Sequence, residues 1–151
     1  MNLKIEDTFL LGIFSGFFAN IFKTILDLTL YVTGFKEHPM WHLATSVYFP
    51  KTSIQTIPGL IVGIFTDFAV AILLGIITVY LLFYTSMKGY IIKGMAVGLL
   101  AWLFAFGVVL QSGLAEIIPE EPLTNLCFLC GHLVIGLLIP ILIKKYGDLS
   151  T

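Results

Sequence analysis

The sequence predicts an all-α integral membrane four-helix bundle, and three observations carry that expectation. Hydrophobic residues make up 58% of the 151 residues and charged ones 11%, with a mean hydropathy of +1.02. No soluble domain of this size needs so apolar a composition. Four apolar stretches, approximately 8–33, 57–84, 90–114 and 123–143, each reach the roughly 20 residues that a helix needs to cross a hydrocarbon core about 30 Å thick. Finally, no alternating ten-residue pattern suggests a barrel, and backbone amides cannot be left unpaired in lipid, so helices are the remaining solution. The chain, 1–151, reads as a single transmembrane domain.

The first stretch starts at Thr8. Lys4 is followed at once by Glu6 and Asp7, and the apolar run is too long for the core of a signal peptide, so it reads as a retained span. Gly12 and Gly16 form a GxxxG step, and Asn20, Lys23 and Asp27 continue down approximately the same face. Lys23 and Asp27 are four apart and able to pair along the helix.

The loop from Gly34 to Thr56 contains Met40–Phe49, apolar and aromatic but too short to span. That pattern predicts an interfacial or re-entrant segment, with Pro39 starting it and Pro50 ending it. Within Glu37-His38-Pro39-Met40-Trp41-His42, two imidazoles lie near a carboxylate and a thioether, donors that suit copper or zinc. Pro39 argues against one continuous helix presenting both histidines on a single face.

The second stretch places Gly59, Gly63, Asp67, Ala71 and Gly75 along one helical stripe, with Leu, Ile, Val and Phe over most of the rest. The stripe is expected to face protein, because small residues let helices approach closely and a charge in hydrocarbon needs a partner. The third stretch repeats the theme with Gly94, Gly98, Ala101 and Ala105, and Gly107 with Gln111 offers a weak outward polar track. On the fourth, His132, Gly136 and Pro140 share a similar spacing.

At about 1.5 Å rise per residue, Asp67 and Lys23 each lie about 15 Å from the outer end of their helices, and His132 lies about 14 Å into its own. Trp102 falls at a similar level. Ionisable groups on three helices thus share one depth near the midplane, where transporter sites and proton relays are found. Two readings follow. Asp67, Lys23, Asp27, His132 and Asn20 form an ion- or solute-binding site, or Lys23 neutralises Asp67 or Asp27 and the cluster fixes helix register.

Cys127 and Cys130 form a CxxC beside His132. A zinc site there needs a third and fourth ligand at the same depth, and beyond His132 none is evident. The placement resembles that of quinone-linked membrane thiol oxidoreductases, which carry a second, substrate-facing cysteine pair that this chain lacks. Packing of small residues is the plainer role.

The chain has no Arg and a net charge of −1, which excludes a basic footprint for nucleic acid. Lys4, Lys88, Lys93, Lys144 and Lys145 lie on the side of the termini, against Lys36 and Lys51 on the other, which places both termini in the cytoplasm. Taken whole, the glycine-bearing first helix, the aromatic outer segment, and Lys93-Gly94 with Gly98 and Trp102 resemble the small four-span membrane proteins of unknown function of Gram-positive bacteria. That resemblance implies a bacterial cytoplasmic membrane and brings no activity, cofactor or site residue with it.

The expectation is therefore a bilayer-embedded homo-oligomer that passes protons, an ion or a small solute, with no cofactor. The alternatives are an anchor or assembly subunit bound to another membrane protein and, from Cys127 and Cys130, a thiol-redox enzyme.

Overall fold

The computed structural model describes residues 4–147. It is all-α: α1 (Thr8–Val32), a short α2 (Met40–Ser46), α3 (Ile57–Thr85), α4 (Tyr90–Phe104) and α5 (Pro122–Tyr146). A π turn over Ala105–Val109 and a 3-10 turn over Leu110–Ser112 prolong α4. Four segments are long and apolar enough to cross a membrane, Thr8–Val32, Ile57–Thr85, Tyr90–Ser112 and Pro122–Tyr146. Three of them lie close to the expected limits. The last begins one residue earlier and runs three further, because Lys144 and Lys145 continue its final turn, where cations suit the helix dipole.

The ends follow local chemistry. Asp7 caps α1 by accepting from Leu10 N–H at 2.8 Å, and the Thr56 hydroxyl accepts from Gly59 N–H at 3.3 Å to cap α3. Gly34, with φ +79°, closes α1: Gly34 N–H donates to Tyr31 O at 3.1 Å and Phe35 N–H to Leu30 O at 2.9 Å. This paired return is a Schellman motif, and it turns the chain back over the end of α1.

Small residues decide which helices pair. Gly12 and Gly16 meet Gly75, Ala71 and Ile76, so α1 and α3 lie antiparallel with backbones in contact. A methyl group added at Gly75 would sit 2.7 Å from Gly16 N. Gly94 and Gly98 meet Gly136, Pro140 and the His132 carbonyl, closing α4 on α5 in the same way. The two hairpins join through α1 and α5, as in the Phe14–Tyr146 edge contact at 5.2 Å and the Ile5 N–H to Tyr146 O bond of 2.8 Å. Between α3 and α4 the contact is slight, because the glycine faces of both are already occupied.

The whole stripe of Gly59, Gly63, Asp67, Ala71 and Gly75 is buried, as expected. Its N-terminal part does not meet another of the four long helices. Gly59 and Gly63 are covered by α2 and the following 3-10 turn, through Thr45, Trp41 and Ser53. The expected ten-residue outer segment is thus a seven-residue helix begun at Pro39, with His42, Leu43, Ala44, Thr45 and Ser46 buried. Thr45 hydroxyl bonds Gly59 O at 2.7 Å, and Glu116 N–H reaches Ser46 O at 3.1 Å, fastening α2 between α3 and the last outer loop.

Two apolar layers result. One packs Leu11, Val79, Leu82, Ile135, Ile139 and Ile143 toward the end that carries the chain termini. The other packs Leu43, Ile54, Phe106, Leu110, Ile117 and Phe128 under α2. The buried charges lie between them. The glycine stripes of α1, α3 and α4 are consumed inside the chain. Gly107 and Gln111 are exposed and extend no interior track.

Close packing at these glycines gives a direct expectation. Gly75→Leu costs about 1–3 kcal/mol or more through overpacking, read as a lowered unfolding midpoint in detergent. Gly107→Ala, whose added methyl meets nothing within 4 Å, leaves that midpoint unchanged.

Candidate functional site

Asp67 is gripped by two residues of α1. Asn20 Nδ2 donates to Asp67 Oδ2 at 3.1 Å, and Lys23 Nζ donates to Asp67 Oδ1. Asn20 and Lys23 are three apart, so one helical face presents both donors. Asp67 and Lys23 are each 7% exposed. In such surroundings both charges have lost most of their water, and each is tolerable because of the other.

Asp27 does not take the partner four residues before it. Lys23 is committed to Asp67, and Lys36 Nζ donates to Asp27 Oδ1 instead. The second oxygen, Oδ2, accepts from Met40 N–H at 2.7 Å. Met40 is the first residue of α2, whose N-cap position is Pro39 and provides no side-chain oxygen. Asp27 therefore caps α2 from another helix, with its negative charge at the positive end of the dipole. Lys36 also lies 3.8 Å from the centroid of the Phe128 ring, a cation–π contact that ties the loop to α5. Burial pushes the Lys36 pKa down from its ordinary value, and the Asp27 charge opposes that shift.

Sequence reasoning missed Lys36 and used it only to count lysines on the outer side. The signal that could have found it is Gly34, since a Schellman turn after α1 brings the next residues back over the last helical turns.

His132 faces the same region from α5. Its Nδ1 lies 2.8 Å from the Phe128 carbonyl one turn earlier. A carbonyl only accepts, so Nδ1 carries the hydrogen and Nε2 is the basic nitrogen. Lys23, Asp27, Met40, Phe128, Gly131 and His132 line a cavity of about 10 Å³, measured as space open to the centre of a water molecule. That is room for about one water.

The other singled-out residues stand apart from this cluster. Trp102 stacks on Phe106 at 6.0 Å, and its indole nitrogen is buried without a partner. Cys127 is buried with its thiol 3.7 Å from Phe35 O, whereas Cys130 is exposed, and both are free. His38 and His42 come closer than Pro39 suggested, with ring centroids 5.7 Å apart, because α2 starts at Met40, after the Pro39 cap, and its first turn brings His42 back toward His38. Among the described residues, no group of three or more His, Cys, Asp and Glu side chains is disposed to hold a metal ion.

Comparison with protein-family models, with curated proteins and with solved structures finds no match to this chain. The site is therefore read from its own geometry.

Two expectations follow. Asp67→Asn leaves the Lys23 ammonium buried without a counter-charge and lowers stability by about 3 kcal/mol. The pair Lys23→Met with Asp67→Leu restores most of that loss, because it removes both buried charges. Chemical denaturation in micelles measures both. Acidification tests the outer segment. Burial, the largest cause, lowers the pKa of both His38 and His42, with Glu37 opposing it at His38 and the neighbouring His38 reinforcing it at His42. Their folded values therefore lie below the unfolded value of about 6.5. The unfolded state binds the extra protons, so stability is complete above that unfolded value and declines as pH falls toward the folded ones. Hydrogen exchange in α2 is expected to accelerate as pH is lowered through this window, after correction for the intrinsic rate, and to do so less in His42→Gln.

Proposed function

We propose that the chain is a multi-pass protein of a bacterial cytoplasmic membrane, with both termini in the cytoplasm, that passes protons, an ion or a small solute through the polar layer around Asp67. One observation carries this reading. Ionisable side chains of α1 and α5 line one small cavity, and the following loop and α3 supply the ion-pair partners Lys36 and Asp67, all held between two apolar layers. Buried ion pairs are often no more stabilising than apolar packing of the same volume, so such a layer calls for a reason beyond stability.

In this reading the described arrangement is the closed one. Lys23 and Asn20 occupy Asp67, and α2 covers the site from outside, latched by Asp27 and Lys36. Opening requires α2 to lift from Gly59 and Gly63 as the loop lets go of Asp27. The short α2 then serves as an interfacial or re-entrant plug at the outer surface. The outer faces of α3 and α4, including Phe65, Leu73, Ile92, Leu100 and Phe104, are left for lipid or for a second copy.

A second reading is favoured by the completeness of the pairing. Each buried carboxylate already has its lysine, as suits an anchor or assembly subunit whose charges fix the register of α1, α3 and the loop, and whose partner is another membrane protein.

Liposomes containing the purified protein separate the two. Passage of protons, sodium, potassium or a small solute above the level of empty vesicles, reduced by Asp67→Asn, is the expected result. Flux equal to that of empty vesicles, together with copurification of a second membrane chain that survives the double replacement of Lys23 and Asp67, would overturn transport in favour of assembly.

A further inference from the structure

The charges around the cavity are matched in number. Lys23 and Asp27 come from α1, Lys36 from the loop and Asp67 from α3, giving two cations and two carboxylates in two ion pairs. Protonating either carboxylate strands a buried ammonium, and deprotonating either lysine strands a buried carboxylate. His132 is the remaining ionisable group on the cavity wall. It is the one lining side chain able to change charge without breaking a pair. The π turn that prolongs α4 faces it with Phe106, whose ring meets the imidazole edge-on at 5.9 Å.

Geometry narrows its role further. With Nδ1 held on Phe128 O, the ring is fixed in one tautomer and offers Nε2 as the proton acceptor. The His132 side chain lines the cavity, and with Nδ1 engaged Nε2 is the ring nitrogen left to meet a water there. The cavity of about 10 Å³ admits about one water. The lining offers a metal cation one carboxylate, already paired with Lys36, beside the Lys23 ammonium, and no set of oxygen ligands. A proton needs only one water and a base.

We infer that the species passed through this site is a proton and that His132 Nε2 is where it is held. The inference rests on the transport reading above. In the step, hydronium in the cavity gives its proton to Nε2, leaving water and an imidazolium, and the reverse transfer returns it. The imidazolium adds one positive charge to an otherwise balanced set, opposed by the Lys23 ammonium on the same wall and favoured by the Asp27 and Asp67 carboxylates.

Vesicles carrying an internal pH dye, driven by a potassium gradient with valinomycin, provide the test. Wild type is expected to acidify several-fold faster than empty vesicles, and His132→Gln to fall to the empty-vesicle rate with its helical content unchanged. Acidification as fast in His132→Gln as in wild type overturns the role of His132. Passage of sodium, potassium or a small solute without protons overturns the proton assignment while leaving the transport reading standing. No flux of any of them removes both. Should His132→Gln fail to fold, nitrogen-15 NMR of the wild-type imidazoles decides. A reversible change at His132 as the pH is lowered supports the inference, and a ring that neither titrates nor exchanges with water overturns it.

Discussion

A carboxylate inside an apolar bundle is tolerable only beside a cation, and Asp67 meets that condition by drawing Lys23 and Asn20 across the α1/α3 interface. The neighbouring architecture is consistent with this constraint. Gly12 and Gly16 let α1 approach the backbone of α3 at Gly75, which brings Lys23 within reach of Asp67 further along the same interface. Were bulky residues to hold the two helices apart, the ion pair would open and its desolvation would go uncompensated. Small residues and buried charge are therefore parts of one arrangement.

The second ion pair extends that logic outward. Because Lys23 is used by Asp67, Asp27 needs another cation, and the chain returns one from the loop after Gly34. Asp27 then also caps α2 through Met40, since Pro39 has no oxygen to offer. A single carboxylate thus joins α1, the loop and α2, and through the Lys36–Phe128 contact it reaches α5. The outer cover and the buried polar layer are mechanically linked at Asp27, which gives the proposed opening motion a definite hinge point. His132 belongs to the layer but stays outside both pairs, leaving it chemically available while its neighbours are committed.

Much of the fold was legible in the chain. Apolar length defined four spans, and the four-residue recurrence from Gly59 to Gly75 marked a buried face that the structure buries throughout. The same spacing on α5 marked His132, Gly136 and Pro140, all buried. Legibility failed where a contact depended on chain reversal rather than on helical period. Lys36 is nine residues from Asp27, a separation with no fixed geometry until the Gly34 turn sets it. The His38 and His42 rings approach because α2 begins between them, which Pro39 alone did not reveal.

By itself the sequence determined that four long apolar helices form and which faces of them carry the small residues that pack closely. These follow from local periodicity and from the cost of polar groups in an apolar medium, and both are properties of a segment read alone. Only the tertiary structure decided who pairs with whom: Asp67 with Lys23, Asp27 with Lys36, α1 with α3 and with α5, and Gly59 and Gly63 with α2 rather than with another span. Pairing depends on helix rotation and loop path, and a one-dimensional pattern leaves several combinations of the same charges equally well matched.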